Sequence, residues 1–105
     1  MDAISYRLET FEGPLDLLLS LIQKNKMSID NIQINVICEQ YIEYIEAAQS
    51  LDMELASEFI VMASELMLIK SRMLFPKQEE EDAEDPRAAL AAALLEYKKA
   101  KENRM

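Results

Sequence analysis

There is no histidine anywhere in the 105 residues, which removes the commonest metal ligand and general base. The one cysteine, Cys38, forms neither an intrachain disulfide nor a thiolate zinc cluster. The one glycine, Gly13, excludes the glycine-rich loops that cradle nucleotide phosphates. No stretch reaches the roughly 20 uninterrupted apolar residues of a membrane span. The start, MDAISYRLET, has no basic region followed by an apolar run, so no secretory signal is expected. Positive charge is also scarce. Eleven basic residues face 20 acidic ones, a formal net charge of −9, and such a surface repels phosphate backbones. These absences exclude the usual enzyme chemistries, cofactors, metals, membrane insertion and direct nucleic-acid binding. They leave a cytosolic, non-enzymatic interaction module.

Half of the residues are apolar, enough to build one small core. Abundant Ala, Leu, Glu, Met and Lys, with so little Gly and Pro, point to an all-α fold. Residues 4–10 alternate Ile4, Tyr6, Leu8 against Ser5, Arg7, Glu9, which predicts a short extended segment with one apolar face. Phe11-Glu12-Gly13-Pro14 reads as a turn whose proline opens a helix. That first helix covers 15–24, with Leu15, Leu18, Leu19 and Ile22 on its core face and Leu17 and Leu21 adjoining. A connector at 25–31 leads to a second helix at about 33–50. Its core line is Ile34, Ile37, Tyr41, Tyr44 and Ala48, flanked by Cys38 and Ile45, while Glu39, Gln40, Glu43, Glu46 and Gln49 take the opposite side.

A longer helix is predicted from the Asp52 N-cap to Pro76, about 35 Å in length, pairing with the second helix as a hairpin. Its core seam is Leu55, Phe59, Met62, Leu66, Ile69 and Met73. A second seam, Met53, Ala56, Ile60, Ala63, Met67 and Leu74, is broken only by Lys70. A third line alternates small and apolar residues: Ser57, Val61, Ser64, Leu68, Ser71 and Phe75. A helix apolar over most of its circumference needs cover over most of it. The first helix is short and the second has one apolar stripe, so together they shield about two of the three lines. After Pro76 the run KQEEEDAED carries six acidic residues and reads as a solvated linker, 77–85. Asp85-Pro86 then opens a last helix over 86–103 with the narrow line Leu90, Leu94, Tyr97 and with Leu95 beside it. The expected architecture is a three-helix bundle plus a short N-terminal extended segment over 1–76, the acidic linker, and a further helix in 86–105 that stops short at Met105, as in a truncated chain. Whether that helix packs back is left open.

Five candidate sites are weighed against blander readings. Glu58 and Glu65, seven apart on one face, resemble paired catalytic carboxylates, but a solvated helix face explains them better. Cys38 lies among apolar neighbours and reads as a structural thiol rather than a nucleophile. Tyr41 and Tyr44 read as core aromatics with hydroxyls reaching outward. Lys70 and Arg72 form a poor phosphate site on so acidic a chain. The line from Ser57 to Phe75, with Ser57, Ser64 and Ser71 alternating with Val61 and Leu68, is either ordinary surface or an edge where an external helix docks. The shortage of cover favours docking, with Arg72 beside it, because otherwise a patch of several hundred Å² faces water.

Three stretches then carry a family resemblance. FEGPLDLLLSLI at 11–22, ASEFIVMASELMLIKSRMLFP at 56–76 and, more weakly, DPRAALAAALLEYKKAKE at 85–102 resemble the N-terminal part of the segregation and condensation protein A family (ScpA), the bacterial kleisins. Phe75 stands where that family more usually has Leu. The resemblance implies a helical domain that packs on the coiled-coil neck of an SMC ATPase, helping to close a ring around chromosomal DNA. It also implies that the region from Pro86 onward leads towards a ScpB dimer, and it places the chain in the cytoplasm, associated with the nucleoid. A second expectation, from a different class, is self-association, one copy covering the third line of another.

Overall fold

The computed structural model describes residues 7–48, 52–74 and 85–103. Four α-helices occupy them: α1 (Pro14–Lys24), α2 (Ile34–Ala47), α3 (Met53–Leu74) and α4 (Ala88–Glu102). No strand occurs among the described residues. The fold is all-α.

The chain enters through a short 3-10 turn rather than an extended run. Arg7 is extended, but Leu8–Thr10 coil tightly, with the Phe11 amide donating to the Leu8 carbonyl at 3.1 Å. Backbone amides taken out of water need partners. The coil satisfies them locally and lets Leu8 drop into the core beside α3. Ile4 and Tyr6 of the expected apolar face lie outside the described residues.

Pro14 opens α1 at its first position, where its missing N–H costs nothing. Asp16 accepts the Glu12 amide at 3.0 Å. The helix ends in a Schellman arrangement: Met27 N–H reaches the Ile22 carbonyl at 3.0 Å and Lys26 N–H the Gln23 carbonyl at 3.1 Å. This puts Lys26 in the left-handed region, at φ 56°. Asn25 and Gln40 exchange side-chain hydrogen bonds of 2.7 and 3.2 Å, tying the end of α1 to α2. The expected connector therefore contains ordered structure, including a second 3-10 turn at Ile29–Asn31 in which Ser28 Oγ accepts the Asp30 amide. α2 is shorter than the 33–50 expected, ending at Ala47 with Ala48 extended.

The core gathers Leu17, Leu18, Leu19, Leu21 and Ile22 of α1, Ile34, Ile37, Cys38 and Tyr41 of α2, and Phe59, Ala63 and Leu66 of α3, with Leu8 and Ile32. Leu15, Tyr44, Leu55, Met62 and Ile69 are partly buried against it. Tyr41 is wholly buried, stacks on Phe59 at 6.5 Å between ring centroids and donates to the Phe59 carbonyl at 2.7 Å. Tyr44 meets Phe11 edge-on at 5.5 Å and its hydroxyl donates to the Arg7 carbonyl, fastening the entry turn.

The last helix packs back. Leu90 and Leu94 are buried in the same core, with α4 lying on α1 and on the 3-10 turn before α2. Asp85 holds the Arg87 amide at 2.8 Å and its guanidinium at 2.7 Å. Arg87 in turn donates to the Ile32 carbonyl at 2.7 Å. At the far end Lys101 pairs with Asp16 at 2.9 Å and the Tyr97 hydroxyl donates to Glu12. The acidic run before Asp85 lies outside the described residues, as does Pro76.

Candidate docking face

α3 begins with a built cap: Asp52 accepts the Leu55 amide at 3.1 Å, satisfying one of the orphan donors of the first turn. From there the helix runs 22 residues, and at about 100° per residue its rows are easily ordered. Phe59, Ala63 and Leu66 point inward and are buried, with Leu55, Met62 and Ile69 half-buried beside them. Turning away from the core, the next row is Met53, Ile60, Met67 and Leu74. Then come Ser57, Ser64 and Ser71, and then Val61 and Leu68. Glu54, Glu58, Glu65 and Arg72 close the circle.

The second row departs from expectation. It was expected to be shielded with the first, yet exposure runs from 51% at Met67 to 76% at Met53, with Ile60 and Leu74 between. Only its small members, Ala56 and Ala63, are tucked in. The physical reason lies in where α1 spends its surface. α1 packs chiefly on α2 and α4, and it touches α3 only lightly, so α2 is left to cover α3 almost alone. Met73, placed in the core seam, is also 39% exposed.

The third row is open too. Val61 and Leu68 are 59% and 52% exposed, and Ser57, Ser64, Ser71 and Arg72 are exposed. Phase and geometry bring these residues together on one face; Phe75 lies outside the described residues. The serines do not demand water. Ser57 Oγ donates to the Met53 carbonyl at 2.9 Å and Ser64 Oγ to the Ile60 carbonyl at 3.3 Å, the back-bonding available to hydroxyls within a helix. A hydroxyl already bonded inside its helix loses less when another surface covers it. The result is a low ridge of small side chains, internally bonded at Ser57 and Ser64, between two apolar rows.

Sequence reasoning missed the flank nearest α2. There Met67, Lys70, Ser71 and Leu74 face Cys38, Glu39, Ile42, Glu43 and Glu46 across a groove of about 540 Å³. The signal was present in Met53, Ile60, Met67 and Leu74, large residues seven apart, but periodicity does not say which neighbour covers a row. Cys38 sits at the groove's base and is itself buried. Burial pushes its thiol above the ordinary 9.0, against a smaller downward pull from Lys70, so it is kept as the unreactive neutral form. Glu58 and Glu65 are exposed on the helix surface. No cluster able to hold a metal occurs among the described residues, and no described helix is long and apolar enough to cross a membrane.

Residues 21–105 match the family model described as "Segregation and condensation protein ScpA". The chain belongs to the ScpA family. It is 52% identical over 109 aligned positions to segregation and condensation protein A of Enterococcus faecalis, covering 96% of this chain and 41% of that protein. It is 54% identical to the Caldanaerobacter subterraneus subsp. tengcongensis protein of the same name, covering 91% of this chain and 41% of that protein. Against the Bacillus subtilis protein of that name the figures are 46%, 97% and 43%. The chain thus spans about two-fifths of the length of the curated ScpA relatives it matches.

Proposed function

We propose that this chain is a non-enzymatic module of chromosome segregation and condensation that docks on the coiled-coil neck of an SMC ATPase through the exposed face of α3. The names of its relatives support the process. One observation carries the docking: Ile60, Met67 and Leu74 on one side and Val61 and Leu68 on the other stand open to water around an internally bonded serine ridge. Apolar rows of this extent on a small monomer mark interaction surfaces, and rows at seven-residue spacing match the side chains of a coiled coil. Ser57, Val61, Ser64, Leu68, Ser71, Arg72 and Phe75 are proposed as the neck-binding set, now joined by Ile60, Met67 and Leu74. In this reading the domain sits in the cytoplasm at the nucleoid, helps to close an SMC–kleisin ring, and leads from Pro86 towards ScpB.

The test is a binding titration of the chain with an SMC neck segment. Leu68→Glu and Val61→Glu are expected to weaken binding by about a hundredfold or more, as for central apolar contacts, while circular dichroism of the free domain stays unchanged. Unchanged affinity in both variants would remove α3 as the docking element. Self-association through the same face is the second reading, and sedimentation of the free chain across concentrations decides it.

A further inference from the structure

The docking face is not only apolar; it is fenced by acid on both long edges. On the α2 side Glu39, Glu43 and Glu46 recur at four- and three-residue steps and line the groove above Cys38 and Ile42. On the other side Glu54, Glu58 and Glu65 run along α3 beyond Val61 and Leu68. All six are exposed, and only Lys70 and Arg72 lie among them as cations. We infer that the occupant of this face is a helical surface whose apolar stripe is flanked on both margins by lysine or arginine, and that these margins set its orientation and its rate of arrival.

The inference deepens the docking reading above and rests on it for the identity of the neck. A second copy is a poor occupant, because an isologous pair laid face to face sets carboxylate rows against carboxylate rows. The one lysine-rich helix among the described residues, α4, has already committed Leu90 and Leu94 to its own core and Lys101 to Asp16. A partner with basic margins meets no such conflict. Its cations would lie beside carboxylates exposed to water, a geometry that accelerates encounter and rejects wrong partners more than it deepens affinity.

Two probes test this separately from the docking itself. With the SMC neck segment, Glu39→Gln/Glu43→Gln/Glu46→Gln is expected to slow association about tenfold at low salt. Dissociation should change little, and the difference should fade near 0.5 M salt as screening shortens to a few ångströms (about 4 Å). Association that is equally fast and equally salt-dependent in the triple variant, while Leu68→Glu still abolishes binding, overturns the inference and leaves the docking reading standing. The second probe is a pair of synthetic amphipathic helices with one apolar face and either Lys or Glu margins. The Lys-margined helix should bind the wild-type chain and the Glu-margined helix should not. Equal binding, or binding of neither, overturns the inference whatever the neck does.

Discussion

Lys26 occupies a backbone conformation that L-residues enter at a cost of about 1 kcal/mol, because the Schellman end of α1 requires it. Its side chain is exposed, so Lys26→Gly should raise stability by about 0.5–1 kcal/mol in urea unfolding. Tyr41 presents the opposite case, a side chain whose every atom is engaged. Tyr41→Phe removes the 2.7 Å bond to the Phe59 carbonyl without emptying the site, and should cost about 1–2 kcal/mol. Burial, helped by the charge of Glu65, also holds its phenol well above the ordinary 10.0. The folded state thus retains a proton that the unfolded chain releases near pH 10, so stability is intact below that pH and falls above it. One such group gives a slope of about 1.4 kcal/mol per pH unit. Thermal unfolding followed from pH 8 to 11 should show this decline, and the Tyr41→Phe variant should show a shallower one.

Element by element, α3 was the most legible part of the chain. Its cap and the buried positions Phe59 and Leu66 follow from local chemistry, though Met73 of the expected seam is exposed and Ala63 of the second is buried. Asp52→Ala should remove about 1 kcal/mol by freeing the Leu55 amide, measurable by the same denaturation. Its outer rows were legible as apolar but not as uncovered, since cover depends on which neighbours α1 chooses. The missing information was tertiary, and it concerned α4. Leu90 and Leu94 are a thin stripe in an alanine-rich run, and nothing in their spacing says that they join the core against α1 rather than face water. Leu94→Ala should cost about 2–4 kcal/mol and raise hydrogen exchange along α4 more than along α3. Residues 8–10 misled in another way. Alternation predicted an extended run there, but the backbone closes local 3-10 bonds instead.

For the whole molecule, α4 packs on α1 and on the turn before α2, while α3 packs chiefly on α2 and leaves its outer rows open. A domain that keeps this face for another protein should sediment as a monomer at low micromolar concentration and form a one-to-one complex with a neck segment. A concentration-dependent dimer blocked by Leu68→Glu would show instead that the face serves the chain itself. The position of α4 also has a mechanical meaning. Tension applied at Asn103 does not load α3 first. It meets the Lys101–Asp16 pair and the Tyr97–Glu12 bond, then Leu94, then Leu90, one after another, as a strip is peeled rather than sheared. Fully drawn out, the 15 residues of α4 would release up to about 50 Å of chain. Under the docking reading proposed above, a pull at Asn103 would thus open α4 before it strained the contact made by α3.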